Sequence, residues 1–417
     1  MSRPATWLAP PAWGLDGSRA VFVKFLEADH QLQIDARGSG HVARSVIRFE
    51  SFECGFPLFD LAAFHVGAAR IDGYDVGLRF VSSPDGVTEY RMLDAALEPG
   101  EHHLEIVQAA DEGIVTWNGR VTCRLRFRDR VSEDEPHPTE RFFLERYLPA
   151  NLEFDRHPRR IAVRITNTSS RHRVISNGSV CERSKNDWIV TFPDWFCSSS
   201  PYLRVVPSDA VHLAPRQFET RSRAAVAIEV YGSPSDPARV AALADAAVVH
   251  LDELDESIGA FPFERLVVFD AGIGMEYAGA CDASLDNLRH ELVHNYFGRC
   301  LAPVDGNAGW VDAAIASWCT GDWRRAEGDS IGRNLGNRSV YARATAPGAG
   351  RIGAGVLDRL DREIGASGGI AAFLRWWYAR RRQQQFTARS FQRDLEEFAG
   401  MSLEKLFQER VYGRERA

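Results

Sequence analysis

The sequence is poor in cysteine pairs, lysine and long apolar runs. Its seven cysteines are an odd, scattered set without a CxxC pair, which disfavours a disulfide framework and a cysteine-type zinc knuckle. Near the N-terminus, prolines and charged residues interrupt every apolar run before it reaches the length of a signal peptide or a membrane span. We therefore expect a cytoplasmic protein with no membrane partner.

A basic surface for nucleic acid is also missing. Only three of the 50 lysines and arginines are lysines, and together they form no long basic stripe. The formal net charge is -7, so a phosphate backbone is disfavoured as a partner. The contents of 45% hydrophobic and 26% charged residues are typical of a soluble globular protein, and 417 residues suffice for two or three domains. No feature predicts an oligomeric state.

The pattern of short runs changes along the chain. From about residue 18 to 215, β-branched and aromatic runs such as AVFVKFLE, RIAVRITNT and DWIVTFPDW alternate with turn residues, which predicts an antiparallel β-domain. From about residue 235, helical spacing dominates after the start signal SDPA, with RLVVFDAG as a strand. The predicted fold class is α+β, with a β-rich domain over 1–215 and a mainly helical domain over 216–417.

The motif that carries chemistry is HELVH at residues 290–294. On a helix, His290 and His294 lie on one face, where two imidazoles can bind a single metal ion. Glu291 would lie beside that metal and can act as a general base. Two histidines on an ordinary helix are the alternative, but a chance HExxH is expected only about 0.02 times in such a chain. The motif therefore predicts a zinc site.

The surroundings of this motif resemble the gluzincin zinc aminopeptidases, the family of aminopeptidase N and leukotriene hydrolase. HELVHNYFG and the later WVDAAIASW match that family's pattern of HExxH, eighteen residues and a glutamate. Gly274, Met275 and Glu276 begin a GMEY segment that is similar to the exopeptidase motif of this family. The segment TERFFLERYLP, which contains Glu140, is similar to its other acidic substrate-binding segment. The resemblance covers most of the chain after about residue 140.

This resemblance implies a thermolysin-like catalytic domain, a substrate cleft between the two domains and zinc as the cofactor. The implied reaction is hydrolysis of the N-terminal amide bond of a peptide or small amine-bearing substrate, with Glu291 as the base. Glu140 and Glu276 are the expected anchors, because carboxylates in a partly dehydrated pocket can pair with a free α-ammonium. Solvated carboxylates without that role are the alternative. LFQERVYG resembles the end of the catalytic domain, so we expect no C-terminal helical cap.

Two positions depart from the family pattern. The count of eighteen residues beyond His294 places Ala313 at the third metal ligand, and alanine cannot coordinate a metal. Asp312 is adjacent but displaced by about 100° around the helix, so it would be a poor substitute. The family's oxyanion-binding tyrosine is not preserved: Gly350 takes its position. Tyr341 is the nearest replacement, with an ordinary packed tyrosine as the alternative.

These departures leave several functions open. The first is a zinc aminopeptidase impaired by Ala313, in which zinc binds weakly or not at all. In that case Ala313 is either a substituted ligand in an otherwise intact enzyme or a sign of descent from one. The second is a non-catalytic peptide- or amine-binding protein that keeps the cleft and the acidic anchors. A hydrolase of small amine-bearing metabolites is the third.

Overall fold

The computed structural model describes residues 9–15, 17–38, 40–59, 66–110, 114–125, 148–152, 154–321, 334–343 and 345–413. The chain divides into two compact units, Met1–Val211 and His212–Ala417. The boundary expected between residues 215 and 216 falls inside the first strand of the second unit. Within the described ranges, no helix combines the length and apolar character needed to cross a membrane.

The regular elements in the described part of the first unit are strands. They are β1 (Trp13–Leu15), β2 (Ser18–Asp35), β3 (Val42–Ser51), β4 (Phe56–Phe59), β5 (Val66–Ile71), β6 (Tyr74–Asp75), β7 (Leu78–Ser82), β8 (Glu89–Leu93), β9 (Gly100–Ala109), β10 (Ile114–Trp117), β11 (Arg120–Leu125), β12 (Arg159–Thr166), β13 (His172–Ser176), β14 (Ser179–Ser184), β15 (Asp187–Phe192) and β16 (Leu203–Pro207). Strands β10, β11, β16 and β13 form a four-stranded sheet, and the others form a twelve-stranded sheet.

Strand β2 is central to the larger sheet. Its inward side chains, with those of β3 and β9, form an apolar core that includes Phe25, Ile47, Phe49 and Ile106. It pairs antiparallel with β3 but parallel with β12 and β4. The predicted N-terminal β-domain is confirmed, whereas its expected antiparallel character is wrong for these two pairs. Parallel neighbours need long crossover connections, which local turn signals do not reveal.

The second unit mixes a sheet with helices. Its elements are β17 (His212–Glu219), β18 (Ala225–Gly232), α1 (Pro237–Ser257), β19 (Arg265–Asp270), β20 (Met275–Tyr277), β21 (Ala280–Ala283), α2 (Leu288–His294), a π-helical segment (Asn295–Cys300), β22 (Ala302–Pro303), α3 (Gly309–Thr320), α4 (Ala349–Glu363), a 3-10 turn (Gly365–Ser367), α5 (Gly369–Arg381), β23 (Gln385–Phe386), α6 (Ala388–Ala399) and α7 (Glu404–Arg410). One sheet has the order β17-β18-β19-β21-β20. The sequence predicts only β19 of this sheet, because the other strands are short or lie near the domain boundary.

Glycines fix the position of α3 against α4. A Cβ added at Gly353 would lie 2.6 Å from the Cβ of Ala314, and one at Gly350 would lie 2.8 Å from Oγ of Ser317. Side chains at these two glycines would separate the helices, so their absence permits the close approach. Helix α3 carries residues 312 and 313, and its placement therefore decides which of them reaches the HELVH helix.

Candidate metal centre

His290 and His294 lie on α2, as the motif predicts, and their rings converge. Their Nε2 atoms are 3.1 Å apart, and the ring planes are inclined by 70° with centroids 4.8 Å apart. Two nitrogens bound to one tetrahedral zinc by bonds of about 2.0–2.1 Å lie about 3.3 Å from each other. The two imidazoles are therefore spaced as a pair of zinc ligands, and this part of the donor set fits the metal.

Asp312, from α3, orients His294. The Nδ1 of His294 donates a hydrogen bond to Oδ1 of Asp312 at 2.6 Å, and the side chains are 9% and 14% exposed. A carboxylate that binds one ring nitrogen fixes the tautomer and directs the other nitrogen toward a metal. Asp312 thus binds the predicted ligand His294 through Nδ1, the ring nitrogen that does not face His290.

The same carboxylate contributes to a shifted titration. Burial by itself would lower the pKa of His294, but the negative charges of Asp312, Glu276 and Glu291 outweigh it and raise the pKa to about 9. In the metal-free protein His294 is therefore protonated at neutral pH. A metal that binds this nitrogen must displace a proton, so its apparent affinity depends on pH.

Two glycines make room for carboxylates at the centre. A Cβ at Gly298 would lie 2.5 Å from both carboxylate oxygens of Asp312. A Cβ at Gly274 would overlap Oε1 of Glu291, whose side chain is buried. The sequence resemblance places Gly274 in a substrate-binding motif. In the structure, the absence of its side chain also creates the space for the proposed base.

The HELVH helix continues as the π-helical segment Asn295–Cys300. Such wider turns are rare and frequently occur at functional sites. The side chain of Asn295 ties the segment to its surroundings, because its Oδ1 accepts from the backbone N–H of Gly279 at 2.8 Å and its Nδ2 donates to the carbonyl of Glu291 at 3.0 Å. Four residues further on, the segment brings Arg299 to a buried position.

Glu276 lies on β20 and is buried, so it is not a solvated turn carboxylate. Its Oε1 accepts a hydrogen bond from Nη2 of Arg299 at 2.9 Å. One ligand atom from each of Glu276, His294 and Asp312 lies within 4.8 Å of the other two. Arg299 is a site residue that the motif analysis does not single out. Its only signal in the sequence is a charge inside the otherwise uncharged run HNYFGRCLAP.

The remaining predicted site residues are placed as follows. Ala313 is half-buried on α3, next to Asp312, and offers no ligand atom. Met275 is buried on β20, beside Glu276. Tyr341 is half-buried in a loop, and its role as an oxyanion donor stays a prediction.

The second predicted anchor is Glu140. Glu140 and the whole of residues 126–147 lie outside the described residues. The similarity of TERFFLERYLP to a substrate-binding segment therefore has no structural counterpart here, and the role of Glu140 stays a prediction.

The chain has the fold of the M1 zinc metallopeptidases. It aligns with the M1 zinc metallopeptidase from Deinococcus radiodurans over 95% of both chains, with a TM-score of 0.65 and 17% identity. Aminopeptidase A from Legionella pneumophila gives a TM-score of 0.65 and 12% identity, over 94% of this chain and 49% of that one. Yeast LTA4 hydrolase gives a TM-score of 0.65 and 12% identity, over 95% and 68%.

These likenesses concern the fold. Neither a protein-family model nor a curated protein sequence matches the chain. The structural neighbours support the two-domain arrangement, with a multi-stranded N-terminal domain followed by a domain rich in helices. One of them, a variant of the Deinococcus radiodurans enzyme, was solved with a Tyr-Ser-Ala substrate bound.

Proposed function

We propose that this protein is a zinc-dependent hydrolase of the aminopeptidase type, acting on the N-terminal amide bond of a peptide or small amine-bearing substrate. The observation that carries the proposal is the 3.1 Å separation of the Nε2 atoms of His290 and His294, with Glu291 between them in the chain. The fold shared with zinc metallopeptidases supports it. The peptide bound to one of these neighbours supports the substrate class.

In this proposal His290 and His294 hold the zinc, and Asp312 keeps the imidazole of His294 in the required orientation. Bound zinc supplies Lewis acidity, which polarises a carbonyl and makes a water molecule more acidic. Glu291 accepts the proton of the attacking water and returns it to the leaving amine. Its burial beside Gly274 keeps the carboxylate in one position.

Substrate orientation is the proposed role of the other acids. Glu276 and Glu140 are the proposed anchors of the substrate's N-terminal group, and Tyr341 is the proposed donor to the oxyanion. Because Ala313 supplies no third ligand, zinc is held by two histidines where catalytic sites ordinarily use three protein groups. We therefore expect weak zinc binding and slow turnover.

The second candidate is a non-catalytic protein that binds peptides or amines. One observation favours it: Glu276 is already paired with Arg299. The predicted loss of the third ligand at Ala313 also supports it. Both features weaken hydrolysis without removing the site. The two candidates differ in turnover, since only the first needs Glu291 as a base.

Turnover of a panel of aminoacyl-anilides, measured with zinc added, distinguishes them. We expect slow hydrolysis by the unmodified protein and none by Glu291→Gln, with zinc content the same in both. Glu264→Gln, which removes an exposed carboxylate of the same unit, should leave the rate unchanged. Equal rates for the unmodified protein and Glu291→Gln would favour the binding protein.

A further inference from the structure

A buried arginine already occupies the carboxylate that would receive a substrate ammonium. Arg299 donates from Nη2 to Oε1 of Glu276 at 2.9 Å, and the two side chains are 4% and 8% exposed. A buried ion pair of this kind holds together, because separating it would leave an uncompensated charge away from water. Glu276 therefore meets a ligand with its negative charge already balanced.

The ion pair of Glu276 and Arg299 lies where it affects the binding of a ligand ammonium. A carboxylate oxygen of Glu276 lies within 4.8 Å of ligand atoms of His294 and Asp312, so it is close to the imidazole of His294. A ligand ammonium that reached Glu276 would also approach the guanidinium of Arg299. Like charges repel strongly at such distances in a poorly hydrated site, whereas a neutral amide nitrogen in the same place carries no such penalty.

We propose that Arg299 determines which ligands this site accepts, because its guanidinium is already paired with the Glu276 carboxylate that a ligand ammonium would bind. The site then binds ligands whose N-terminal nitrogen is a neutral amide at least as well as ligands with a free ammonium. This inference rests on the proposed function, since it takes Glu276 as the residue that faces the N-terminal group. It extends the substrate class of that function to N-blocked compounds.

The test is a pair of ligands that differ only in this charge. Tyr-Ser-Ala and N-acetyl-Tyr-Ser-Ala are titrated calorimetrically into the full-length protein with zinc present, and every form carries Glu291→Gln so that no turnover occurs. We expect the unmodified protein to bind the acetylated peptide at least as tightly as the free one. Arg299→Gln should strengthen binding of the free peptide at least about tenfold, and should change binding of the acetylated peptide less than about threefold. Arg299→Lys keeps the charge and should behave as the unmodified protein does.

A double variant covers the case in which Arg299→Gln fails to fold. Glu276→Gln combined with Arg299→Gln replaces a balanced ion pair by two neutral side chains, so we expect its preference between the two peptides to stay within about threefold of that of the unmodified protein. A free-amine preference of more than about tenfold in the unmodified protein, or a change in preference of that size in the double variant, would overturn the inference. The inference would also be overturned if folded Arg299→Gln had the same ratio of affinities for the free and the acetylated peptide as the unmodified protein. Binding of neither peptide by any form would overturn the proposed function as well, so the two failures are distinguishable.

Discussion

The imidazole of His294 and the carboxylate of Asp312 are joined by a 2.6 Å hydrogen bond through Nδ1. This bond gives the acid next to Ala313 a position against the ring of a predicted metal ligand. Neighbouring residues on a helix point about 100° apart, and the placement of α3 turns residue 312 toward the far side of the His294 ring. In the proposed site its carboxylate therefore acts on His294, and the predicted position of the third ligand is occupied by Ala313.

Removing the charge of Asp312 should lower zinc affinity, and by an amount that depends on pH. Above about pH 9, where His294 has lost its proton, Asp312→Asn should weaken zinc binding about 10- to 100-fold. Below that pH the difference in zinc affinity between the unmodified protein and Asp312→Asn should become smaller. Zinc must displace a proton from His294 of the unmodified protein, because Asp312 raises the pKa of that histidine. Chelator competition from pH 7 to 10 measures both effects. Asp286→Asn, which changes an exposed carboxylate near the start of α2, is the control. A difference in zinc affinity between the unmodified protein and Asp312→Asn that increased toward neutral pH would contradict the account.

A methyl group at Gly274 should disable the base and spare the metal. Its Cβ would overlap Oε1 of Glu291, so the carboxylate must move from its position beside the histidine pair. We expect Gly274→Ala to lose turnover while zinc content stays the same. Gly272→Ala is the matched control in the same loop, since a Cβ there meets nothing within 4 Å. Equal rates for the two variants would show that the position of Glu291 is not critical.

A carboxylate at position 313 should complete the ligand set. We expect Ala313→Glu to strengthen zinc binding at least about tenfold and to raise aminoacyl-anilide hydrolysis by a factor on the order of 100 or more. Ala313→Gln has nearly the same size but no charge, and should produce neither gain. Adding Glu291→Gln to Ala313→Glu should abolish the rate and leave the zinc in place. Full zinc occupancy without any gain in rate would indicate that the site is also incomplete at the oxyanion position.

Helix α6 carries a buried acid that should control stability in acid. The carboxylate of Asp394 accepts hydrogen bonds from Nε1 of Trp377 at 3.0 Å and from Nε and Nη2 of Arg381 at 2.9 and 2.7 Å. Burial alone would raise the pKa of Asp394, but these donors lower it below its usual value. We expect Asp394→Asn to reduce the free energy of unfolding by about 2–4 kcal/mol at neutral pH.

The pH dependence follows from the direction of that shift. A carboxylate with a lowered folded-state pKa contributes stability above its unfolded-state pKa of about 3.9, and this is lost as the pH falls through the folded-state pKa. Asp394→Asn should therefore unfold with a flatter acid dependence than the unmodified protein. Glu397→Gln, a change on the same helix as Asp394, breaks an exposed pair with Arg380 of α5 and should cost less than about 1 kcal/mol. Denaturant unfolding at several pH values measures the free energy of unfolding of both variants. If that of Asp394→Asn fell with decreasing pH as steeply as that of the unmodified protein, the role of Asp394 would be refuted.

Local signals were enough to predict the helix that begins the helical part of the chain. The SDPA start signal and the apolar spacing after it indicate a helix from about residue 235, and α1 spans Pro237–Ser257. The side chain of Asp236 caps it by accepting from the backbone N–H of Arg239 at 3.0 Å. The HELVH pair is predictable for the same reason, because its geometry depends only on the helical repeat.

The contacts that define the site could not be predicted in this way. Glu276 and Arg299 are 23 residues apart, and His294 and Asp312 are 18 apart. Each pair depends on how separate elements pack and on the π-helical continuation of α2, neither of which leaves a periodic signal. The resemblance predicts that Glu276 is an anchor, but only the structure reveals the cation that pairs with it.

The most direct test of the account is zinc titration of the purified full-length protein, with a chromophoric chelator as competitor. The convergence of His290 and His294 predicts one zinc per chain, lost when both are replaced by alanine. Replacement of His250, a histidine of α1, by alanine should leave uptake unchanged. No zinc uptake by the unmodified protein, or the same uptake after loss of both α2 histidines, would contradict the central claim that the HELVH pair is a metal site.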